Sequence, residues 1–199
     1  KGMSASGAFD NVALGLANVL VGNPSGEAGL EITGGFFEAE FTGNSVIAIC
    51  GTDMQPSLNG SPFPMWQAVR VSAGDKLKFM HIGTTGFRSY LALAGGVDVP
   101  AYLGSKSTCV FGSYGGFHGR ALTQGDVLET GKPLADLGTL DGRKLKPGIQ
   151  PEYSNQWKLR AVPGPNSAPD YATEQGMDLL FSRVSKIQHT SNRSAYRLG

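Results

Sequence analysis

From residue 30 onward, glycine, proline and asparagine divide the chain into short β-prone runs. Hydrophobic and polar residues alternate with a period of two in these runs, which is typical of strands. The runs are LEITGGFFEAEF, SVIAIC, QPSLNG, QAVRVSAG, DKLKFMHIG, RSYLALAGG and GDVLETG. Such runs at a spacing of about ten residues predict an antiparallel sandwich or barrel rather than a parallel α/β sheet. We therefore expect a mainly β fold.

Two segments predict short helices. Residues 10–21 have apolar residues on one face, Asp10 as a plausible N-cap, and Gly22-Asn23-Pro24 to end the helix. Residues 173–181 predict a second helix with Thr173 as its cap. Further strands are expected in QWKLRAVPGP and SKIQHTS, and SLNGSPFP predicts a hairpin that turns at Asn59-Gly60.

The charge balance excludes some classes of partner. With 17 basic and 16 acidic residues the formal net charge is +1, so no strong field favours nucleic acid or an anionic membrane. No apolar run approaches the roughly 18 residues of a membrane span. Cys50 and Cys109 lie far apart in apolar runs, which indicates reduced, buried thiols in a cytoplasmic protein, with one disulfide as the alternative.

Residues 86–128 contain nine of the chain's 29 glycines, and GGFHG directly precedes Arg120. Glycine loses more conformational freedom than other residues on ordering, so such a cluster marks tight turns or a close backbone approach. GSYGGFHG lacks the GK[ST] of a phosphate-binding P-loop. The three histidines, His81, His118 and His189, are too far apart to form a recognisable metal motif. No GxSxG elbow of a serine hydrolase is present, and the biotin-attachment sequence AMKM is absent.

Arginines stand out in a chain with only 17% charged residues. Arg88, Arg120, Arg193 and Arg197 lie in segments with few acidic neighbours, and each is either an ordinary surface arginine or a fork of donors for a carboxylate. For Arg120 and Arg193 we favour the second interpretation, because glycine turns or polar neighbours bring the backbone close.

The stretch GFRSYLALAGGVDVPAYLGSKST followed by GGFHGRALTQGDVL resembles a carboxyltransferase-type family. The family includes the second allophanate-hydrolase-like subunit, the C subunit of 5-oxoprolinase, the regulator KipA and the carboxyltransferase region of urea carboxylase. SGAFDNVALGLANVLVGN, LEIT and SNRSAYRLG match as well, so the resemblance covers nearly the whole chain apart from 131–151. The closing motif commonly reads SDRMGYRL, whereas this chain has Asn192 in place of the aspartate, which resembles the urea-carboxylase branch more closely.

The resemblance implies a cyclophilin-like β-barrel with one or two short helices. It implies a barrel core at 1–130, a loop or linker at 131–151, and the start of a second part of the family domain at 152–199. It also implies that the family domain continues beyond both ends of these residues, so we expect the site to be incomplete here.

By resemblance, the function is that of a carboxyltransferase component in an ATP- and biotin-dependent enzyme acting on urea or an amide. Biotin would be carried, and ATP used, elsewhere in the complex. The implied partners are a homologous domain like KipI or allophanate hydrolase subunit 1, a biotin carrier, a biotin carboxylase and a small urea or amide substrate. The alternatives are the C subunit of 5-oxoprolinase, which acts in ATP-dependent lactam opening, and a non-catalytic KipA-like regulator. Prolyl isomerisation would rest on the barrel shape alone.

A site for this chemistry must hold a planar amide and a labile carboxylate together while excluding water. We predict that Arg120 and the backbone N–H groups of Gly115, Gly116 and Gly119 form its anion side. The remaining predicted site residues are His118 and Arg193, as catalytic candidates, and Tyr90 and Asn192, as substrate-binding candidates. The sequence offers no general base that stands out.

Overall fold

The computed structural model describes residues 6–191, 193 and 196–199, and the account below concerns these residues. They fall into two compact units, of which the first ends at Asn155 and the second comprises Gln156–Gly199. The domain boundaries expected from the resemblance stay a prediction.

The first unit contains two four-stranded antiparallel sheets, so the predicted mainly β class is confirmed. In the first sheet the strand order is β1-β8-β3-β6, and in the second it is β2-β7-β4-β5. The strands are β1 (Leu30–Thr33), β2 (Phe37–Glu40), β3 (Ser45–Gly51), β4 (Ser57–Leu58), β5 (Ser61–Pro62), β6 (Ala68–Val71), β7 (Lys76–Phe79) and β8 (Arg88–Leu93).

The alternation of residues along the strands separates two apolar clusters. Ile47, Ile49 and Leu91 of the first sheet pack with Leu77 and Phe79 of the second. On the other face of the first sheet, the small residues of β3 and β8 leave room for a helix. That second cluster contains Val46, Ala48, Cys50, Tyr90 and Ala92 together with Ala13, Ala17 and Leu20 of the helix. The first sheet is therefore covered on both faces.

Three short helices are present in the described chain. α1 (Asn11–Leu20) begins where predicted, because the Asp10 carboxylate accepts a hydrogen bond from the Ala13 N–H. α3 (Glu174–Ser182) is likewise capped by Thr173, as predicted. α2 (Leu137–Leu140) lies within the stretch expected to be a loop, where Asp136 caps a single turn that buries Leu140. None of these helices has the length and apolar character of a membrane span.

Glycines decide the course of the chain in one predicted strand segment and in the predicted hairpin. LEITGGFFEAEF forms two strands in different sheets, because Gly34 and Gly35 adopt φ values of 75° and 77°. A side chain at Gly35 would collide with the carbonyl of His81, so the turn requires glycine. The hairpin at Asn59-Gly60 is confirmed, with φ values of 51° and 82° that fit a type I′ turn.

Three strand predictions are wrong: GDVLETG, QWKLRAVPGP and SKIQHTS. Thr130 and Ile187 make isolated bridges only, to Val97 and Leu198. Trp157 and Leu159 are exposed, so the apolar residues of QWKLRAVPGP have no described core to pack on. Strand propensity reflects side-chain packing on a sheet, and without that packing alternation alone does not produce a strand.

Candidate functional site

The glycine-rich segment forms a tight loop around a one-bridge hairpin. Cys109 and Tyr114 exchange backbone hydrogen bonds of 2.9 and 3.3 Å, and the chain then turns through Gly115, Gly116 and Gly119 in left-handed conformations. His118 shares the left-handed conformation, with φ 52°. The sequence prediction of a set of unusual turns directly before Arg120 is therefore confirmed.

The glycines of this loop are explained by contacts with their own chain. A side chain at Gly115 would lie 2.6 Å from the Ser107 carbonyl oxygen, and one at Gly116 would lie 2.6 Å from the Thr108 nitrogen. At Gly119 it would collide with the backbone of Ser113. The space beside each glycine is thus filled by backbone. The close approach expected from the sequence is an approach of the chain to itself.

Arg120 already has a carboxylate partner. Its Nη1 and Nη2 donate to the two oxygens of Asp126 at 2.7 and 2.8 Å, and its guanidinium lies 5.2 Å from the centre of the Phe117 ring. The hydrogen bonds from Arg120 and from the Thr123 N–H lower the pKa of Asp126 far below its ordinary value. The side chain of Arg120 is 44% exposed. Arg120 therefore forms a bidentate pair with a carboxylate, as expected, but the carboxylate belongs to Asp126 of the same chain and not to a ligand.

The other predicted residues of the loop lie near Arg120 in sequence and in space. His118 is exposed, and its ring packs edge-to-face on Phe117 with the centroids 4.6 Å apart. The Gly119 N–H donates to the Gly115 carbonyl at 2.9 Å, so one of the three expected backbone donors is occupied.

The remaining predicted residues are in other places. Arg193 belongs to the second compact unit, and Asn192 lies outside the described residues. Tyr90 is completely buried in the first sheet, where its hydroxyl accepts a 2.7 Å hydrogen bond from the Asp10 N–H. Burial raises the pKa of Tyr90 well above its ordinary value. The contacts of Tyr90 join strand β8 to the start of helix α1.

Beside Tyr90 lies a group that we call the Arg88 corner, comprising Phe9, Glu31 and Arg88. Arg88 donates through Nε to Glu31 Oε1 at 3.3 Å, and its guanidinium stacks 4.2 Å from the centre of the Phe9 ring. The Phe9 N–H donates to Glu31 Oε2 at 2.8 Å. Sequence reasoning noted Arg88 among the unusual arginines but did not include it in the site.

A buried polar network, which no sequence pattern predicted, anchors the glycine-rich segment to helix α1. Asn18 donates to the Glu27 carbonyl at 2.8 Å, and Asn23 donates to Asn18 Oδ1 at 3.0 Å and accepts from the Gly95 N–H at 2.8 Å. Glu27 in turn accepts from Lys106 at 2.7 Å. Burial acts to raise the pKa of Glu27, but the hydrogen bonds from Lys106 and the Ala28 N–H outweigh it and keep this pKa below its ordinary value.

Thr52 is an exception to the general satisfaction of buried polar groups. Its side-chain oxygen Oγ1 is buried but has no hydrogen-bond partner among the described residues, whereas buried polar groups are usually hydrogen-bonded. Its backbone N–H donates to the Arg88 carbonyl at 3.0 Å, so Thr52 directly neighbours the first residue of β8. The described residues contain no group of three or more His, Cys, Asp or Glu able to hold a metal ion.

The comparisons with known proteins concern the whole chain. The family described as "Carboxyltransferase domain, subdomain A and B" matches residues 1–199. A putative urea carboxylase of Emericella nidulans is 37% identical over 199 residues, covering 100% of this chain and 16% of that protein. The C subunit of Escherichia coli 5-oxoprolinase is 36% identical over 198 residues, covering 100% of this chain and 61% of that protein.

A solved structure leads to the same family. The crystal structure of Kluyveromyces lactis urea carboxylase superimposes with a TM-score of 0.85 at 33% sequence identity, covering 97% of this chain and 18% of that one. The chain thus spans a minor part of the urea carboxylases and somewhat under two thirds of the oxoprolinase relative. By its sequence over its entire length and by its fold, this chain belongs to the carboxyltransferase domain family of subdomains A and B.

Proposed function

We propose that this chain is the carboxyltransferase part of an ATP- and biotin-dependent enzyme that carboxylates urea or a related amide, as a urea carboxylase or urea amidolyase would. The observation that carries the proposal is the identity of 37% to a urea carboxylase over all 199 residues. The match covers 16% of that relative, so the ATP-using and biotin-carrying functions are assigned to other parts of the protein or complex.

When bound, biotin would supply the carboxyl group for transfer to an acceptor nitrogen. The glycine-rich loop offers a poor fit to this group as it stands. Asp126 fills the fork of Arg120, the Gly119 N–H is used, and backbone occupies the space beside Gly115 and Gly116. We therefore derive no step through biotin at this loop.

The predicted site residues keep their proposed roles with one added condition. Arg120 can bind an anion only if that anion displaces Asp126. His118 lies on the same loop as Arg120 and packs on Phe117. Arg193, Asn192 and Tyr90 remain proposed participants. A cytoplasmic location, a homologous partner domain like KipI or allophanate hydrolase subunit 1, a biotin carrier and a biotin carboxylase complete the proposal.

The test is turnover in a reconstituted complex. The chain is combined with the biotin carboxylase, the biotin carrier and the homologous partner domain, and consumption of ATP and labelled bicarbonate is measured with urea. We expect consumption that depends on urea and on this chain. Urea-independent consumption, or none with urea, allophanate and guanidine-like compounds, would overturn the proposal. An Arg120→Ala variant that keeps full turnover would remove Arg120 from the mechanism.

A second candidate function is that of the C subunit of 5-oxoprolinase. It is favoured by the identity of 36% to the Escherichia coli protein, of which the match covers 61%. In this case the substrate is a lactam, which is activated with ATP and opened. The same assay with 5-oxoproline separates the two, because lactam opening releases glutamate, whereas urea carboxylation consumes bicarbonate. A KipA-like regulator would bind its partner without turning over either substrate.

A further inference from the structure

A cleft, which we call the Trp66 cleft, opens between the chain just before strand β6 and the loop of residues 141–150. Its volume is about 360 Å³, near the lower end of the range of about 300–1,000 Å³ that is usual for ligand clefts. Its apolar lining consists of Met65, Trp66, Leu145 and Pro147. The volume and the lining therefore suit a small molecule with an apolar body.

Hydrogen bonds hold the two walls of the Trp66 cleft in place. The Trp66 N–H donates to the Ile49 carbonyl of β3 at 2.8 Å. The Ala68 N–H donates to the Arg143 carbonyl at 2.9 Å, and the Ala68 carbonyl accepts from the Gly142 N–H at 2.9 Å. A cleft whose walls are already ordered loses little conformational freedom when a ligand binds, which favours affinity.

Trp66 has an unusual backbone conformation for a bulky residue. Its φ is 60°, in the left-handed region that such residues rarely adopt. Its ring stacks on Tyr153, and the residue is 8% exposed, so packing holds it in this conformation. Backbone strain of this kind is concentrated at ligand-binding and catalytic sites. At Trp66 the strain coincides with the wall of the cleft.

The polar part of the lining is positively charged. Lys144 and Lys146 line the cleft, and none of the described residues that line it is acidic. Neither lysine forms an ion pair with another residue of the described chain, whereas Lys106 pairs with Glu27 at 2.7 Å. An anion could therefore bind Lys144 and Lys146 without breaking an existing pair, and their charges favour it over a neutral or cationic ligand.

The acidic residues nearest in sequence do not cancel this charge. Residues 141–152 contain three basic residues and two acidic ones, Asp141 and Glu152, so the segment has a net charge of +1. Neither acidic residue lines the cleft. One oxygen of Asp141 accepts a 2.9 Å hydrogen bond from a backbone N–H of β6. The charge that borders the cleft is thus that of the two lysines.

We propose that the Trp66 cleft binds a small organic anion that has an apolar body and one carboxylate or phosphate group. The apolar body packs on Met65 and Leu145, and the anionic group pairs with Lys144 and Lys146. The inference goes beyond the proposed function, because it concerns residues outside the glycine-rich segment and assigns no bond-making step to them. Its failure would leave the proposed function untouched.

The test is a titration of the isotopically labelled 199-residue chain, followed by the chemical shifts of backbone amides and indole N–H groups. Benzoate and phenyl phosphate carry the two candidate anionic groups on the same apolar ring. Benzyl alcohol has the ring without the charge, and acetate has the charge without the ring. We expect saturable shifts at Trp66 and Lys144 with at least one ring anion, and at least about tenfold weaker binding of benzyl alcohol and acetate.

The chain has two tryptophans, so Trp157→Phe assigns the indole signal of Trp66. The tighter of the two ring anions identifies the anionic group. Binding should weaken as salt is added, because attraction between exposed charges is screened.

Variants of the two lysines test the charge. Lys144→Gln combined with Lys146→Gln should weaken binding of the ring anion at least about tenfold, because both attracting charges are lost. Arginine at both positions keeps the charges and should restore binding. The control combines Lys132→Gln with Lys186→Gln, which removes two exposed lysines that do not line the cleft, and it should bind as the parent chain does. Circular dichroism establishes that each variant is folded.

Several results would overturn the proposal. One is that benzyl alcohol or acetate binds as tightly as the ring anions, or that a folded glutamine double variant binds them as the parent does. Another is that neither ring anion gives saturable shifts at Trp66 at concentrations up to about 10 mM, where a millimolar Kd would be detected. Shifts confined to residues outside the lining, or binding that is independent of salt, would also overturn it.

Discussion

The hydroxyl of Tyr153 donates a 2.7 Å hydrogen bond to the carboxylate of Asp10, the residue that caps helix α1, from 143 positions further along the chain. The same carboxylate accepts from the Ala13 N–H, while the Asp10 N–H donates to Tyr90. Tyr153 also stacks on Trp66, with ring centroids 6.1 Å apart. One aspartate therefore ties together a helix, the first sheet and the end of the first compact unit.

Removal of either partner of this bond should destabilise the first unit. We expect Tyr153→Phe to lower the free energy of unfolding by about 1.5–3 kcal/mol, because it removes a hydrogen bond to a charged acceptor. Asp10→Ala should cost at least as much, since the helix also loses its cap, which is worth about 1 kcal/mol. Guanidinium denaturation of both single variants and the double variant gives the coupling energy. If the losses of the two single variants simply add in the double variant, the hydrogen bond contributes nothing to stability. Tyr171→Phe is the control, because Tyr171 is exposed and its loss of a hydroxyl should leave the free energy of unfolding unchanged.

The turn at Gly95 should not tolerate a side chain. Gly95 has φ 90°, and a Cβ there would collide with the carbonyl of Gly131. We expect Gly95→Ala to lower the free energy of unfolding by about 2 kcal/mol or more, from backbone strain and steric conflict together. Gly43→Ala is the matched control, because no atom lies within 4 Å of the added carbon. Thermal unfolding compares the two, and equal melting temperatures would contradict the prediction.

The ion pair of Arg120 and Asp126 should be visible in an acid titration. The folded-state pKa of Asp126 is depressed, so any stability that the pair contributes is present above the ordinary carboxyl pKa and disappears as the pH falls through the depressed value. Carboxyl NMR should find Asp126 still ionised well below pH 3.8, the ordinary value for aspartate. In Arg120→Gln the titration should move up toward that value. A normal titration in the parent chain would show that the pair does not form in solution.

The two cysteines should differ in reactivity. Both are free and buried, as the sequence predicted. Burial raises the pKa of Cys50, whereas hydrogen bonds from Tyr114, Ser6 and the Gly112 N–H lower that of Cys109. Because the thiolate is the reactive form, iodoacetamide at neutral pH should label Cys109 at least about tenfold faster than Cys50.

Mass spectrometry of the labelled peptides measures both rates in one sample. Tyr114→Phe removes the largest of the hydrogen bonds that lower the Cys109 pKa, so it should slow the labelling of Cys109 and leave Cys50 unchanged. Faster labelling of Cys50 in the folded parent chain would contradict the assignment of the two environments.

Much of the fold was predictable because local rules govern it. Asp10, Thr173 and Asn59-Gly60 cap or turn the backbone through their own atoms, and each acts where the sequence predicts. The division of LEITGGFFEAEF between two sheets was not predictable, because the need for glycine at position 35 comes from His81, a residue of another segment. Likewise, QWKLRAVPGP has the alternation of a strand, but the sequence does not show that its residues pair with no described sheet.

The candidate site was less predictable than the fold. A guanidinium next to glycines is typical of a ligand fork, yet the sequence does not say whether a carboxylate six residues away will fill that fork, as Asp126 does for Arg120. It also does not show that Phe9 and Glu31 contact Arg88, because those contacts join residues far apart in the chain.

The sequence by itself determined the mainly β class, the ends of two helices, the hairpin turn and the family, since each depends on residue types at short spacing or on motifs read in order. Only the tertiary structure decided which carboxylate pairs with Arg120, which tyrosine is buried, and how the glycine-rich segment is anchored. The physical reason is that the availability of a polar group depends on the neighbours that folding brings to it, and chain order does not specify them.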